Sequence, residues 1–206
     1  RPRVGSERLG ELGLEADGFH LVVARFEVEN HVDVIVDGYV RSRARLPLVV
    51  VGSAPYANEY TALVESLADD RVRLLGGVWD QELLDQLYAG ARVYYHGHSV
   101  GGTNPSLLRA IGAGAAVDAF DVSFNREVLG GAGRYWRTPQ DVADLVTSAE
   151  AEPAAQVERG QLSGERASLY DWDEVALRYE APCRRLALNG PRAHRPSGRR
   201  SGAFPA

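Results

Sequence analysis

Short apolar runs alternate with stretches of helical periodicity along most of the chain, and this rhythm constrains the fold more than any other feature. FHLVVAR (19–25) has the length and composition of a buried strand, and NHVDVIVDGYV (30–40) then sets Val32, Ile35, Val36 and Tyr39 at helical spacing. LPLVVVG (46–52) repeats the strand, and a helix is expected around 56–68. RVRLLG (71–76) precedes DQELLDQLYAGA (80–91), where Asp80 suits the N-cap and Leu83, Leu84 and Leu87 share a face. RVYYH (92–96), NPSLLRAIGAG (104–114) and AAVDAF (115–120) continue as strand, helix and strand, followed by a short strand at RYW (134–136) and helices from about 138. Strands joined through helices with brief connectors form a parallel sheet covered on both faces. The expectation is therefore an α/β fold, a Rossmann-like parallel sheet with helices on both faces, over residues 19–150. Residues 1–18 read as a polar lead-in or linker, and 151–188 as one or two helices packing back. The tail 189–206, rich in Pro, Gly and Arg, reads as disordered.

Composition excludes several function classes. With 206 residues, 45% hydrophobic and 25% charged, the chain can hold one good-sized soluble domain. A net charge of −5 is not the footprint of a nucleic-acid binder. No apolar run reaches membrane-spanning length and no signal-peptide pattern opens the chain. One cysteine, Cys183, precludes an intrachain disulfide and suits a reducing compartment, so a cytoplasmic location is expected. All 23 basic residues are arginine, which removes lysine-dependent phosphate loops and Schiff-base chemistry. Methionine is absent and the chain opens on Arg1, as expected of a processed or partial product.

The glycine-rich stretch GHSVGGTNPS (97–106) lies between a strand and a helix, with Asn104 placed to cap that helix and Pro105 suited to its first turn. Gly101 and Gly102 would serve a plain turn equally well. Position beyond the carboxyl end of a parallel strand favours anion binding, because free amides and the positive end of a helix dipole converge there. Two phosphate motifs do not apply. Thr103 stands where a Walker A loop requires lysine, and the turn after the first strand, ARFEVEN, lacks the glycines of the dinucleotide fingerprint.

Five blocks in order, VARFEVEN (23–30), VVVGSAPY (49–56), VRLLGGVWDQELLDQLYAGA (72–91), HGHSVGGTNPSLLRAIGAG (96–114) and FNREVLGGAG (124–133), together resemble a glycosyltransferase. The similarity is to the C-terminal, nucleotide-sugar-binding half of GT-B enzymes of glycosyltransferase family 4, and within it to bacterial rhamnosyltransferase-like proteins. It covers about residues 19–140 and implies one half of a GT-B fold. It further implies a nucleotide-sugar donor, transfer with retention, and no metal or other cofactor. Arg25 falls on the arginine that pairs with the donor diphosphate, a role that suits a planar guanidinium fork. Gly101, Gly102 and Thr103 fall on the loop facing sugar and phosphates, with Asn104 at its end and His98 in the same loop. Val78 falls where the backbone meets the nucleotide base, and Asn125, Arg126 and Glu127 match a block of structural support. A carbohydrate acceptor would be bound through an N-terminal domain outside this chain, which would also carry any peripheral membrane association.

The chain departs from that pattern at informative places. Two family glutamates are replaced by Gly101 and Arg109, and arginine, with no acceptor, cannot receive hydrogen bonds from ribose hydroxyls, although it can attract phosphate. Asn30 stands where a lysine usually follows the arginine. Gly112 and Gly114 would weaken the helix end by about 1 kcal/mol each if helical. Asp118 interrupts a buried strand, where an unpaired charge is costly. His96 and His98 alternate at a strand end without a third ligand for a metal, and Ser99 and Ser106 lack partners for a nucleophilic triad. Trp79, Trp136 and Trp172 read as core or base-wall packing rather than as a platform for nucleic acid. Three readings stay open on this basis: the donor half of a glycosyltransferase, a non-catalytic nucleotide-sugar-binding or regulatory module derived from one, and a purely structural domain.

Overall fold

The computed structural model describes residues 5–53 and 59–188. The start of the helix expected around 56, the first four residues and the tail from 189 lie outside the described residues. Six strands form one sheet: β1 (His20–Val23), β2 (Leu48–Val51), β3 (Val72–Gly76), β4 (Val93–His96), β5 (Val117–Phe120) and β6 (Gly133–Trp136). Every neighbouring pair is parallel and the order is β3-β2-β1-β4-β5-β6, with His20 opposite Leu48 on one side and Val93 on the other. The chain thus builds outward from β1 in one direction, then returns to β1 and builds in the other. The α/β architecture expected from the alternation is the one observed.

Helices α1 (Val32–Arg41), α2 (Glu59–Leu67), α3 (Gln81–Gly90), α4 (Pro105–Ala113), α5 (Ser123–Leu129), α6 (Pro139–Ala151) and α7 (Pro153–Ala167) cover the sheet. On one face α1 packs between α2 and α6; on the other, α4 packs between α3 and α7. Val32, Ile35, Val36 and Tyr39, placed at helical spacing by the sequence, are all buried on α1 against Val22, Val50 and Tyr95. Gly38 lets α1 approach α6 closely, since a Cβ there would meet the carbonyl of Pro139. Caps hold the helix starts: Asp80 accepts from Leu83 N at 3.0 Å, Asn104 from Ser106 N at 2.9 Å, and Thr138 with Asp141 forms a reciprocal capping box. Gly114, expected to weaken α4, lies beyond the helix as its left-handed C-cap (φ 79°), where glycine carries no Cβ penalty.

Two further expectations look different in three dimensions. Within the polar lead-in, Glu7–Leu12 forms a 3-10 helix that buries Leu9 against Gly90, while Arg8 reaches Asp80 at 2.5 Å and Gln86 at 2.9 Å. Asp118 is 0% exposed yet fully partnered. Arg134 of β6 holds it at 2.9 and 3.1 Å, and Arg159 of α7 at 2.7 Å. Arg159 also donates to the Val117 carbonyl, and Arg134 to Ser148 and the Leu145 carbonyl of α6. The interruption of β5 is thus the hub of an ion network that joins β5, β6, α6 and α7.

By internal contacts the chain divides into a unit spanning 1–169 and a second from 170 onward. The described part of the second is α8 (Trp172–Leu188), an exposed helix laced by Arg178–Glu174 and Arg184–Glu180 pairs, with Pro182 inside it. Among the described residues no helix is long and apolar enough to cross a membrane.

Candidate functional site

In this strand order the connections diverge on either side of β1 and β4, which leaves a crevice beyond their carboxyl ends. A cavity of about 630 Å³ occupies that place. It is lined by the loops that leave β1 (Ala24, Arg25, Asn30), β2 (Gly52, Ser53), β3 (Gly77, Val78, Trp79) and β4 (Gly97, His98, Asn104). A second hollow of about 800 Å³ lies at the opposite end of the strands, between Asp17, Arg92, Gly114 and Gly160. Arg92 and Asp17 in its lining pair with each other at 2.6 Å.

The loops after β1 and β4 are interlocked. Gly97 is required, because a Cβ there would collide with the Asn30 carbonyl; Gly52 is in the same position against the Ala24 carbonyl. Ser99 donates to the Glu29 carbonyl from both its amide and its hydroxyl at 3.0 Å, and His31 Nδ1 lies 2.9 Å from the Gly97 carbonyl. Asn30, which stands in place of a lysine, is buried and structural. Its amide donates to the Arg25 carbonyl at 2.8 Å, and its Oδ1 lies 3.0 Å from His98 Nδ1. With Asn30 Oδ1 as acceptor, His98 Nδ1 carries the hydrogen, and in the neutral ring Nε2 is an acceptor. Asn125 supports the same loop from α5, donating to the carbonyls of His98 and Phe120 at 3.0 and 2.9 Å.

Electrostatics divide this cavity. Arg25 is exposed at its mouth, and among the described residues no carboxylate pairs with its guanidinium. Asn104, Pro105 and Ser106, the first residues of α4, line the same cavity and present the positive end of a helix. Burial lowers the pKa of His98, Glu29 partly opposes this, and Arg25 lowers it further, so His98 adds no positive charge near neutrality. Behind it His96 is 3% exposed, with Nδ1 3.2 Å from the Tyr94 hydroxyl. Tyr94 in turn meets Ser106 Oγ at 2.7 Å. The cavity lining therefore combines a cationic guanidinium and the start of a helix with the apolar side chains of Val51, Val78, Trp79 and Leu84.

The residues singled out in the sequence separate into two groups. Arg25, Val78, His98 and Asn104 line the cavity together. Gly101, with φ 101°, Gly102 and Thr103 form the exposed turn above it and are not among its lining residues. Arg109 is turned away onto α3: it donates to Asp85 at 2.8 Å and to the side chain and carbonyl of Gln81 at 2.9 and 3.1 Å, and its guanidinium lies 5.7 Å from the centre of the Tyr88 ring. The contribution of Asn30, Gly52 and Gly97 is legible only as close approach between loops, which no spacing rule announces. Among the described residues no group of three His, Cys, Asp or Glu side chains is placed to hold a metal ion.

Chemically, an unpaired guanidinium and a helix N-terminus that line one cavity are groups suited to an anion. The profile of the family described as Glycosyl transferases group 1 matches residues 19–151, which contain the whole sheet and all four loops. The chain belongs to this family. A GtfA subunit of a UDP-N-acetylglucosamine–peptide N-acetylglucosaminyltransferase from Streptococcus gordonii is 27% identical over 113 residues, 53% of this chain and 22% of that protein. The pneumococcal O-GlcNAc transferase GtfA in complex with UDP and GlcNAc superposes with a TM-score of 0.71 at 18% identity, over 90% of this chain and 38% of that one. The HepE protein of Anabaena in complex with UDP gives 0.76 at 17% identity, over 90% and 54%. At these identities the structural likenesses show the fold, that of one half of a GT-B glycosyltransferase. The chain spans roughly a fifth of the length of the curated relatives that it matches, 22% and 21%.

Proposed function

We propose that this chain is the donor-binding half of a glycosyltransferase that transfers a sugar from a nucleoside-diphosphate donor to a carbohydrate acceptor with retention of configuration. The observation that carries the reading is the convergence of Arg25 and the N-terminus of α4 on one cavity at the point where the sheet order reverses. Arg25 and the helix end bind the diphosphate, and the apolar side near Val78 takes the base. No metal is required, since arginine and helix-dipole charge stabilise the departing diphosphate. UDP is the first donor nucleotide to test, because it is the nucleotide in the solved relatives GtfA and HepE. The resemblance of the blocks quoted from the sequence supports a reading of the chain as a family 4 protein of the rhamnosyltransferase-like group, with a role in polysaccharide assembly on the cytoplasmic side. The acceptor side of the cleft is supplied by a second domain.

Calorimetric titration of the chain with UDP, with UDP-sugars and with inorganic pyrophosphate tests the binding step. Saturable binding of UDP that competes with pyrophosphate is expected; absence of both would overturn the donor reading. In a transfer assay with a panel of donors and oligosaccharides, the chain alone is expected to show no turnover, because half of the cleft is lacking.

A further inference from the structure

We propose that Tyr94 is a positioning residue for the donor cavity, its buried hydroxyl fixing the end of β1, the end of β4 and the start of α4 relative to one another. The inference rests on the donor-binding reading above and adds to it a group outside the lining. Tyr94 is 0% exposed and is not among the residues that line the cavity. Val23, His96 and Ser106 are lining residues, and all three lie within hydrogen-bond reach of its oxygen. The Val23 carbonyl is 3.3 Å away, His96 Nδ1 3.2 Å and Ser106 Oγ 2.7 Å. Each belongs to a different element.

The sheet shows why such a tie is needed at this place. β1 pairs with β2 along its whole length, from His20 opposite Leu48 to Val23 opposite Val51. With β4 the pairing covers only His20 opposite Val93 and Leu21 opposite Tyr94. Continued in register, Val23 would stand opposite His96; instead the two strands part there, which opens the crevice and forgoes their ladder bonds. The Tyr94 hydroxyl meets both residues and so spans the gap. Only one arrangement of hydrogens satisfies all its contacts. A carbonyl only accepts, so Tyr94 donates to Val23 and keeps two lone pairs. Ser106 donates to one and His96 Nδ1–H to the other. His96 is neutral, since burial pushes its pKa down to about 3, and this tautomer leaves Nε2 as an acceptor, which has no partner among the described residues. Tyr88 of α3 packs its ring 5.3 Å from that of Tyr94.

The experiment compares wild-type chain with Tyr94→Phe and Tyr39→Phe, titrated with UDP and with inorganic pyrophosphate by calorimetry and unfolded in urea. Tyr94→Phe keeps the ring and removes all three bonds. It should weaken both ligands about fivefold, since Val23 leads into Arg25 and Ser106 lies in the first turn of α4. Tyr39→Phe removes another buried hydroxyl, one that donates to the Leu46 carbonyl at 2.5 Å ahead of β2. It should lower stability and leave both affinities unchanged. Equal affinities in wild type and Tyr94→Phe would overturn the proposal and leave the donor reading standing. An equal loss of affinity in Tyr39→Phe would also overturn it, by showing an effect of stability alone. A second measurement needs no altered tyrosine: nitrogen NMR of wild type labelled at histidine, with His96 assigned through His96→Gln, should report the Nδ1–H tautomer. The Nε2–H tautomer would overturn the proposal even if Tyr94→Phe did not fold. If wild type binds neither ligand, the donor reading fails and this proposal falls with it.

Discussion

Mild acid should destabilise the folded chain through a single buried ring, His96. The ring is 3% exposed, and burial, with a smaller contribution from His98, pushes its pKa from 6.5 down to about 3. The unfolded chain takes up a proton on this residue as pH falls through 6.5, whereas the folded chain does not until about 3. The unfolded state therefore binds more protons throughout that window. The contribution is fully present above 6.5 and is lost as pH falls toward 3, at about 1.4 kcal/mol per pH unit once below 6.5. Between about pH 7 and about pH 5 the expected loss is roughly 2 kcal/mol. Ordinary carboxylates remain mostly ionised over this interval. His98, lowered chiefly by burial, adds a loss of the same sign, so the comparison must isolate His96. Urea unfolding of wild type and His96→Gln at both pH values does so. The variant should lose about 2 kcal/mol less than wild type on acidification, because glutamine does not titrate. Equal losses in the two proteins would refute the reasoning, as would a wild type more stable at the lower pH.

Four other outcomes follow from the geometry. Asp118→Asn leaves Arg134 and Arg159 without their buried carboxylate, and should cost about 3 kcal/mol in urea unfolding; a cost below about 1 kcal/mol would show that the network contributes little. Arg25→Ala should weaken UDP and pyrophosphate binding roughly tenfold, with the difference shrinking at high salt. Arg109→Ala should leave both within about twofold, because its guanidinium is held by Asp85 and Gln81 outside the cavity lining; calorimetry on the pair separates the two arginines. Gly97→Ala should destabilise by about 2 kcal/mol, since the new Cβ meets the Asn30 backbone carbonyl, and thermal unfolding will show a lowered midpoint.

What was legible in the sequence was whatever is settled locally. The alternation of strand and helix follows from the spacing of apolar residues such as Val32, Ile35, Val36 and Tyr39, and Asp80 and Asn104 announce their helices because a cap is a contact with the next few residues. Parallel pairing and the position of the cavity follow once the elements are in order. The remainder depends on partners remote in sequence. Asp118 looked costly in isolation because its arginines lie 16 and 41 residues away. Asn30 looked like a lost cation and is instead the tie between Arg25 and His98. Arg109 looked like a phosphate ligand, but the acid and amide on α3 set its direction. Leu9 has no periodic context, so nothing local marked it as buried.

The network around Asp118 also decides where this chain can be shortened. A product ending at 150, just beyond the last strand and most of α6, would contain the complete sheet and every loop of the cavity. It would nevertheless strip Arg159 from a carboxylate with no access to solvent, and would uncover the Gly114 turn that Gly160 seats against. Such a product is expected to aggregate or to be degraded on expression, whereas one extended past Ala167 keeps the pairing intact. A single acidic residue in the fifth strand thus sets the smallest portion of the protein that can be handled alone.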